Sequence, residues 1–156
     1  MCTLTLGWRV FDDAPVVVAA NRDELLGRPS EPPAVTDGDP SILAPRDAEA
    51  GGTWIGANEH GLVVAITNRW VDVPGGGERS RGLLVRDVLG AASTHAARAV
   101  VDDALATHTY DGFNLVVAER GGETTPGDPT ALYFEWDGGL DVRRLDPGVH
   151  VVVNVG

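Results

Sequence analysis

The stretch that most limits the fold is Leu62-Val63-Val64-Ala65-Ile66, apolar at every position before Thr67, Asn68 and Arg69. A half-buried strand alternates apolar with polar residues, whereas one that is apolar on both sides has to be covered on both. The sheet that contains it therefore needs a packed layer above and another below. The preceding segment, Gly51 to Ala57, is joined to it by Asn58-Glu59-His60-Gly61, which reads as a hairpin turn. Asn68 continues the row of Leu62, Val64 and Ile66 and is expected to face inward at the strand's end. A buried amide is costly unless hydrogen-bonded, so Asn68 needs a partner, either backbone or a substrate oxygen.

The covering layers are legible elsewhere in the chain. Met1 to Val10 alternates Leu4, Leu6, Trp8 and Val10 with Thr3, Thr5, Gly7 and Arg9, the period of a strand with one buried face. Val16 to Ala20 follows after a short turn and should pair with it as a hairpin. Ile42 to Asp47 adds a short strand. Helical spacing appears after residue 80. Ser80 caps a helix over 81–91 with Leu84, Val85, Val88 and Leu89 on one stripe. Ser93 or Thr94 starts a second helix to about 106, burying Ala97, Val100, Val101, Ala104 and Leu105. Strands return at Phe113–Ala118, Ala131–Trp136, Leu140–Leu145 and Val149–Val153, with Gly121–Pro129 a long turn. Residues 27–40, rich in Pro, Asp and Gly, read as an irregular loop of the kind that serves as a lid or binding segment.

The only cysteine is Cys2, on the apolar face of the first strand. It reads either as a small buried hydrophobe or as a nucleophile. A small residue after the initiator Met allows Met1 to be removed, and Cys2 would then carry both a thiol and a free α-amine. Such an amine titrates near pH 8 and can take the thiol's proton. Asn21-Arg22-Asp23-Glu24 ends the second strand, either as a solvated strand end or as part of a site. Alternation, continued that far, puts Asn21 and Asp23 on one face and Arg22 and Glu24 on the other.

Composition narrows the function further. The 156 residues carry a net charge of −11, and all 12 basic residues are Arg. Such a chain repels nucleic acid and anionic membrane surfaces. No run is long enough to cross a membrane, so a cytoplasmic protein without membrane insertion is expected. Lys-free acidic composition suits a salt-rich cytoplasm or a GC-rich genome, and a halophilic source is expected. One cysteine excludes an internal disulfide and a Cys-cluster metal site, and His60, His95, His108 and His150 show no ligand spacing. No metal is expected. The length suits one domain. The chain stops at Val152-Val153-Asn154-Val155-Gly156, within a strand and its exit, so 1–156 is expected to be a C-terminally truncated domain.

Several motifs coincide with one family. Met1-Cys2-Thr3, Asn21-Arg22-Asp23-Glu24, Gly51-Gly52-Thr53-Trp54-Ile55-Gly56, Asn58-Glu59-His60-Gly61, Thr67-Asn68-Arg69, Ser80-Arg81-Gly82 and Gly112-Phe113-Asn114-Leu115 resemble those of the NRDE, or transport and Golgi organisation, family. The match runs from Cys2 to Asn154, and its members are usually longer. The resemblance implies an α+β fold: a four-layer α-β-β-α sandwich of the N-terminal-nucleophile hydrolase type, with mostly antiparallel sheets. Bile-salt hydrolases and penicillin V acylases, which also begin Met-Cys, are similar. By that similarity Cys2 is the nucleophile, Asp23 orients the α-amine, Asn68 is an oxyanion donor and Asn154 a further polar group. Asn21, Arg22, Trp54 and Arg69 would contact substrate. Those hydrolases place an Arg three residues before the Asp, where this chain has Ala20.

The expected function is therefore hydrolysis of an amide or related acyl compound by an N-terminal cysteine, with no cofactor and a small molecule as substrate. The alternative is a non-catalytic carrier in haem or acyl-coenzyme A/lipid trafficking. There, Cys2, His60 or another His would be the axial ligand of haem. Oligomeric state is not legible.

Overall fold

The computed structural model describes residues 1–121 and 128–154, which build two antiparallel sheets and two helices. The expected turn over Gly121–Pro129 falls mostly outside these residues. The larger sheet has seven strands in the order β3-β4-β5-β6-β7-β8-β9: Ser30–Thr36, Ile42–Asp47, Ile55–Asn58, Leu62–Asn68, Phe113–Glu119, Ala131–Trp136 and Leu140–Arg144. The smaller has the order β10-β1-β2, with β1 at Thr3–Trp8, β2 at Val16–Asn21 and β10 at Gly148–Val153.

The doubly apolar strand, β6, lies in the middle of the large sheet and is covered on both faces, as its pattern requires. On one face α1 (Arg81–Val88) and α2 (Thr94–Thr107) pack against Leu62, Val64, Leu115, Val117 and Phe134. On the other, Leu4, Leu6, Trp8 and Val152 of the small sheet meet Ala65, Val116, Ala118 and Ala131. The α+β sandwich expected of this sequence is thus present, with both helices on the same side. No described helix is long and apolar enough to cross a membrane.

Local chemistry accounts for the helix ends. Ser80 Oγ accepts from Gly82 N–H and Ser93 Oγ from Ala96 N–H, satisfying amides that the first turn leaves free. Leu84, Val85, Val88 and Leu89 are all fully buried, each contributing about 1.5–3 kcal/mol. Asn58 then ties the β5–β6 turn to the end of α1: Nδ2 donates to the carbonyls of Leu89 (2.8 Å) and Ala91 (2.7 Å), and Oδ1 accepts Leu62 N–H.

Two expectations need correction. Residues 27–40 are not a structureless loop, since β3 occupies Ser30–Thr36 at the sheet's edge. An edge strand tolerates Pro32 and Pro33, and the register breaks between Glu31 and Ala34. Val10 does not continue the first strand's buried row and is exposed. The strand ends at Trp8, where Arg9 takes a left-handed φ of 51° and turns the chain.

A candidate active site at the start of the chain

Cys2 precedes β1 by one residue, and the end of β2 holds it there. Asn21 stands opposite Thr3 in the ladder. Its Oδ1 accepts Thr3 N–H at 3.1 Å and its Nδ2 donates to the Met1 carbonyl at 2.9 Å. Two residues on, Asp23 makes three contacts with the same segment. Its backbone N–H donates to Cys2 Sγ at 3.2 Å, its carbonyl lies 3.7 Å from Sγ, and its carboxylate pairs with the α-amine of Met1.

Cys2 opens into a cleft of about 260 Å³. One wall is the β2 exit, Asn21 to Glu24. Another is Thr67 and Asn68 at the end of β6, and a third is Thr53 and Trp54 with Ser80, Arg81 and Gly82 at the start of α1. Two glycines make this third wall possible. A Cβ on Gly52 would stand 2.2 Å from the Gly82 carbonyl carbon, and Thr53 N–H donates to Gly82 O at 3.0 Å. The strand lead-in and the helix start thus touch backbone to backbone, an approach that leaves no room for a side chain at position 52.

Charges in the cleft are mostly paired. Asp47, at the end of β4, accepts from Arg28 Nε at 2.8 Å, Arg22 Nη2 at 3.1 Å and the backbone N–H groups of Glu49 and Ala50. Burial alone would push its carboxyl up. The bonds from Ala50, Arg28 and Glu49 outweigh burial and hold it below the usual carboxylate range. Arg22 also stacks on Trp54, 4.0 Å from the ring centroid. Arg79 pairs with Asp87 at 2.7 Å. Arg81 has no carboxylate at ion-pair distance among the described residues, and its Nη1 donates to Gly112 O at 2.8 Å. Burial pulls its guanidinium pKa down, opposed by the charges of Asp111 and Glu24.

Of the residues singled out in the sequence, Cys2, Asn21, Arg22, Asp23, Trp54 and Asn68 line this one cleft. Arg22 does so although alternation put it on the opposite face from Asp23. The reason is that β2 ends at Asn21, after which the period of two no longer applies. Asn68 is only half-buried, and the buried polar residue at that strand end is Thr67, bonded to Asn114. Asn154 is 1% exposed, and its Oδ1 has no partner among the described residues. The β1–β10 register, carried one step past Thr3↔Val153, sets it across from Cys2, although its side chain does not line the cleft.

Arg69 belongs elsewhere. It pairs with Glu135 at 3.2 Å and borders a second, open cleft with Tyr133 and Arg143. There, burial and neighbouring Glu135 push the Tyr133 phenol up to about 12. No His lines the first cleft; His60 sits in the β5–β6 turn, at the opposite end of β6 from Asn68. Sequence reasoning gave no site role to Asp47, Arg28 or Arg81. Arg81 lies in the Ser80-Arg81-Gly82 motif, but its place depends on the Gly52–Gly82 contact, which no local pattern announces.

Comparison with known proteins agrees with this architecture. The family model described as Transport and Golgi organisation 2 matches residues 1–156. The human Transport and Golgi organization protein 2 homolog is 32% identical over 161 residues, covering 92% of this chain and 54% of its own. The mouse homolog is 32% identical with the same coverage. The chain thus spans about half the length of the curated relatives it matches. Among solved structures, a Caenorhabditis elegans ortholog of N-acylethanolamine-hydrolyzing acid amidase superposes with a TM-score of 0.60 at 15% identity, over 99% of this chain and 70% of that one. Penicillin V acylase from Agrobacterium tumefaciens gives 0.52 at 15% identity, over 92% and 49%. A variant of conjugated bile acid hydrolase from Clostridium perfringens gives 0.50 at 13% identity, over 99% and 45%. Identities this low establish a shared N-terminal-nucleophile hydrolase fold and no more. The family match covers the whole sequence, and the chain belongs to the Transport and Golgi organisation 2 family.

Proposed function

We propose that the Cys2 cleft is the active site of an N-terminal cysteine hydrolase that cleaves an amide or a related acyl compound once Met1 has been removed. The observation that carries this reading is the double grip of Asp23, whose backbone N–H meets Cys2 Sγ while its carboxylate takes the α-amine of Met1, from where it would take the amine of Cys2 once Met1 is gone. Thiol, amine and an orienting carboxylate are the three parts that an activated nucleophile needs. A second observation agrees: Asn21 Nδ2 already donates to an amide carbonyl, that of Met1. Loss of Met1 frees this donor for the carbonyl of a substrate.

In the proposed cycle the Cys2 amine accepts the thiol proton, and the thiolate attacks the substrate carbonyl carbon. Asn21 Nδ2, joined by Asn68 from the facing wall, donates to the oxyanion that forms. The carbon–nitrogen bond breaks as the leaving amine takes the former thiol proton from the Cys2 ammonium, and a thioester remains on Sγ. Water, deprotonated by the same amine, attacks the thioester; the acid leaves and the thiol is restored.

The test is release of 4-nitroaniline from a series of N-acyl 4-nitroanilides by the Met1-free protein. Turnover of at least one member, abolished in Cys2→Ala, is the expected result. An unchanged rate in Cys2→Ala would overturn the reading.

A further inference from the structure

Four arginines line the cleft, and three are neutralised by carboxylates. Arg22 has Asp47 at 3.1 Å and Glu24 at 3.6 Å, Arg28 has Asp47 at 2.8 Å, and Arg79 has Asp87 at 2.7 Å. Arg81 is the exception. Its one bond among the described residues is from Nη1 to the Gly112 carbonyl at 2.8 Å, although a guanidinium has five N–H donors. Its side chain is half-buried, and Glu24 and Asp111, the carboxylates that share its space, stand beyond ion-pair reach. None of its other N–H groups is a buried, unpartnered atom, so they open to the cleft, where an anion can take them. The cleft around it also holds Cys2.

We propose that Arg81 is the anion-binding group of this cleft and selects acyl compounds that carry a carboxylate or other anionic group close to the carbonyl attacked by Cys2. The word "substrate" here rests on the hydrolase reading; the binding of an anion beside Cys2 does not. A planar fork of donors suits a carboxylate better than a point charge does. In a chain of net charge −11, such a group has to overcome a repulsive field. One unpaired cation where the ligand lands is therefore a strong selector.

The experiment uses the chain's only thiol as its reporter. Cys2 is alkylated with iodoacetate, which is anionic, and with iodoacetamide, its neutral counterpart, and both rates are followed by intact mass. The quantity read is the iodoacetate-to-iodoacetamide rate ratio, taken for the native protein and for the same protein in concentrated urea. The native ratio is expected to exceed the unfolded one by about fivefold to tenfold, the effect of one nearby cation at an intermediate dielectric. Arg81→Gln should drop it to the unfolded value and Arg81→Lys should keep most of it.

A native ratio no higher than the unfolded one overturns the proposal, and that comparison needs no variant. Equal slowing of both reagents in Arg81→Gln also overturns it, because Arg81 would then act on the thiol and not on the incoming anion. Neither readout depends on turnover. A protein that fails to hydrolyse any amide but shows the charge preference would retain the anion site and lose the hydrolase reading.

Discussion

Asp23 holds the first two residues at once: its backbone N–H lies 3.2 Å from the Cys2 sulfur, and its carboxylate pairs with the α-amine of Met1. The first contact depends on the backbone alone and the second on the side chain, so substitution separates them. Asp23→Asn should leave Sγ where it is and remove the charge that orients the amine. Both partners of the ion pair are more than half exposed, so little stability is at stake. We expect an unchanged melting temperature and a fall of about 10²-fold in the rate at which an activated acyl ester labels Cys2. A labelling rate equal to wild type would show that the carboxylate has no part in activation.

Asn58 occupies a prominent motif, yet it serves the scaffold. Its amide satisfies two carbonyls at the end of α1 and one N–H at the start of β6 while 8% exposed. Asn58→Ala should cost about 2–3 kcal/mol, chiefly through the polar groups it strands. Urea unfolding measures this. A loss under about 0.5 kcal/mol would mean that water replaces the side chain without penalty.

Asp47 predicts how stability depends on pH. Its native pKa lies below the ordinary carboxylate value because hydrogen bonds from Ala50, Arg28 and Glu49 outweigh burial. A group depressed in the folded state stabilises fully above its unfolded pKa, about 3.9, and loses that contribution as pH falls through the native value. At neutral pH, Asp47→Asn should be less stable than wild type by about 1–3 kcal/mol. The difference should shrink as pH falls below about 4. A gap that stays constant to low pH would contradict the assignment.

The parts of this molecule fixed by periodicity were readable without coordinates. Leu84, Val85, Val88 and Leu89 announced one helix and Ser80 its start; Leu4, Leu6 and Trp8 announced the inner face of a strand. The doubly apolar β6 required cover on both sides and has it. Errors arose where the period stops. Alternation separates Arg22 from Asp23 only if β2 runs on past Asn21, where it in fact ends, and Pro32 and Pro33, which only an edge position accommodates, conceal β3. The site was half legible. Cys2, Asn21, Asp23, Trp54 and Asn68 meet because they sit at element ends that the fold brings together, and motif resemblance pointed to them. Arg69 shares a motif with Asn68 but borders the second cleft. Arg81 enters through a glycine-to-glycine approach between distant segments, and no local signal encodes that contact.

The central claim is that Cys2 is a processed and reactive nucleophile, and one measurement addresses it directly. The intact mass of the protein from its own host is recorded before and after exposure to an activated acyl ester, for wild type and Cys2→Ala. The account predicts a wild-type mass lacking Met1, a single acyl adduct, and no adduct in Cys2→Ala. Retained Met1 with no adduct would contradict it. The cleft would then be a binding site, and titration with haem and acyl-coenzyme A would be the next experiment.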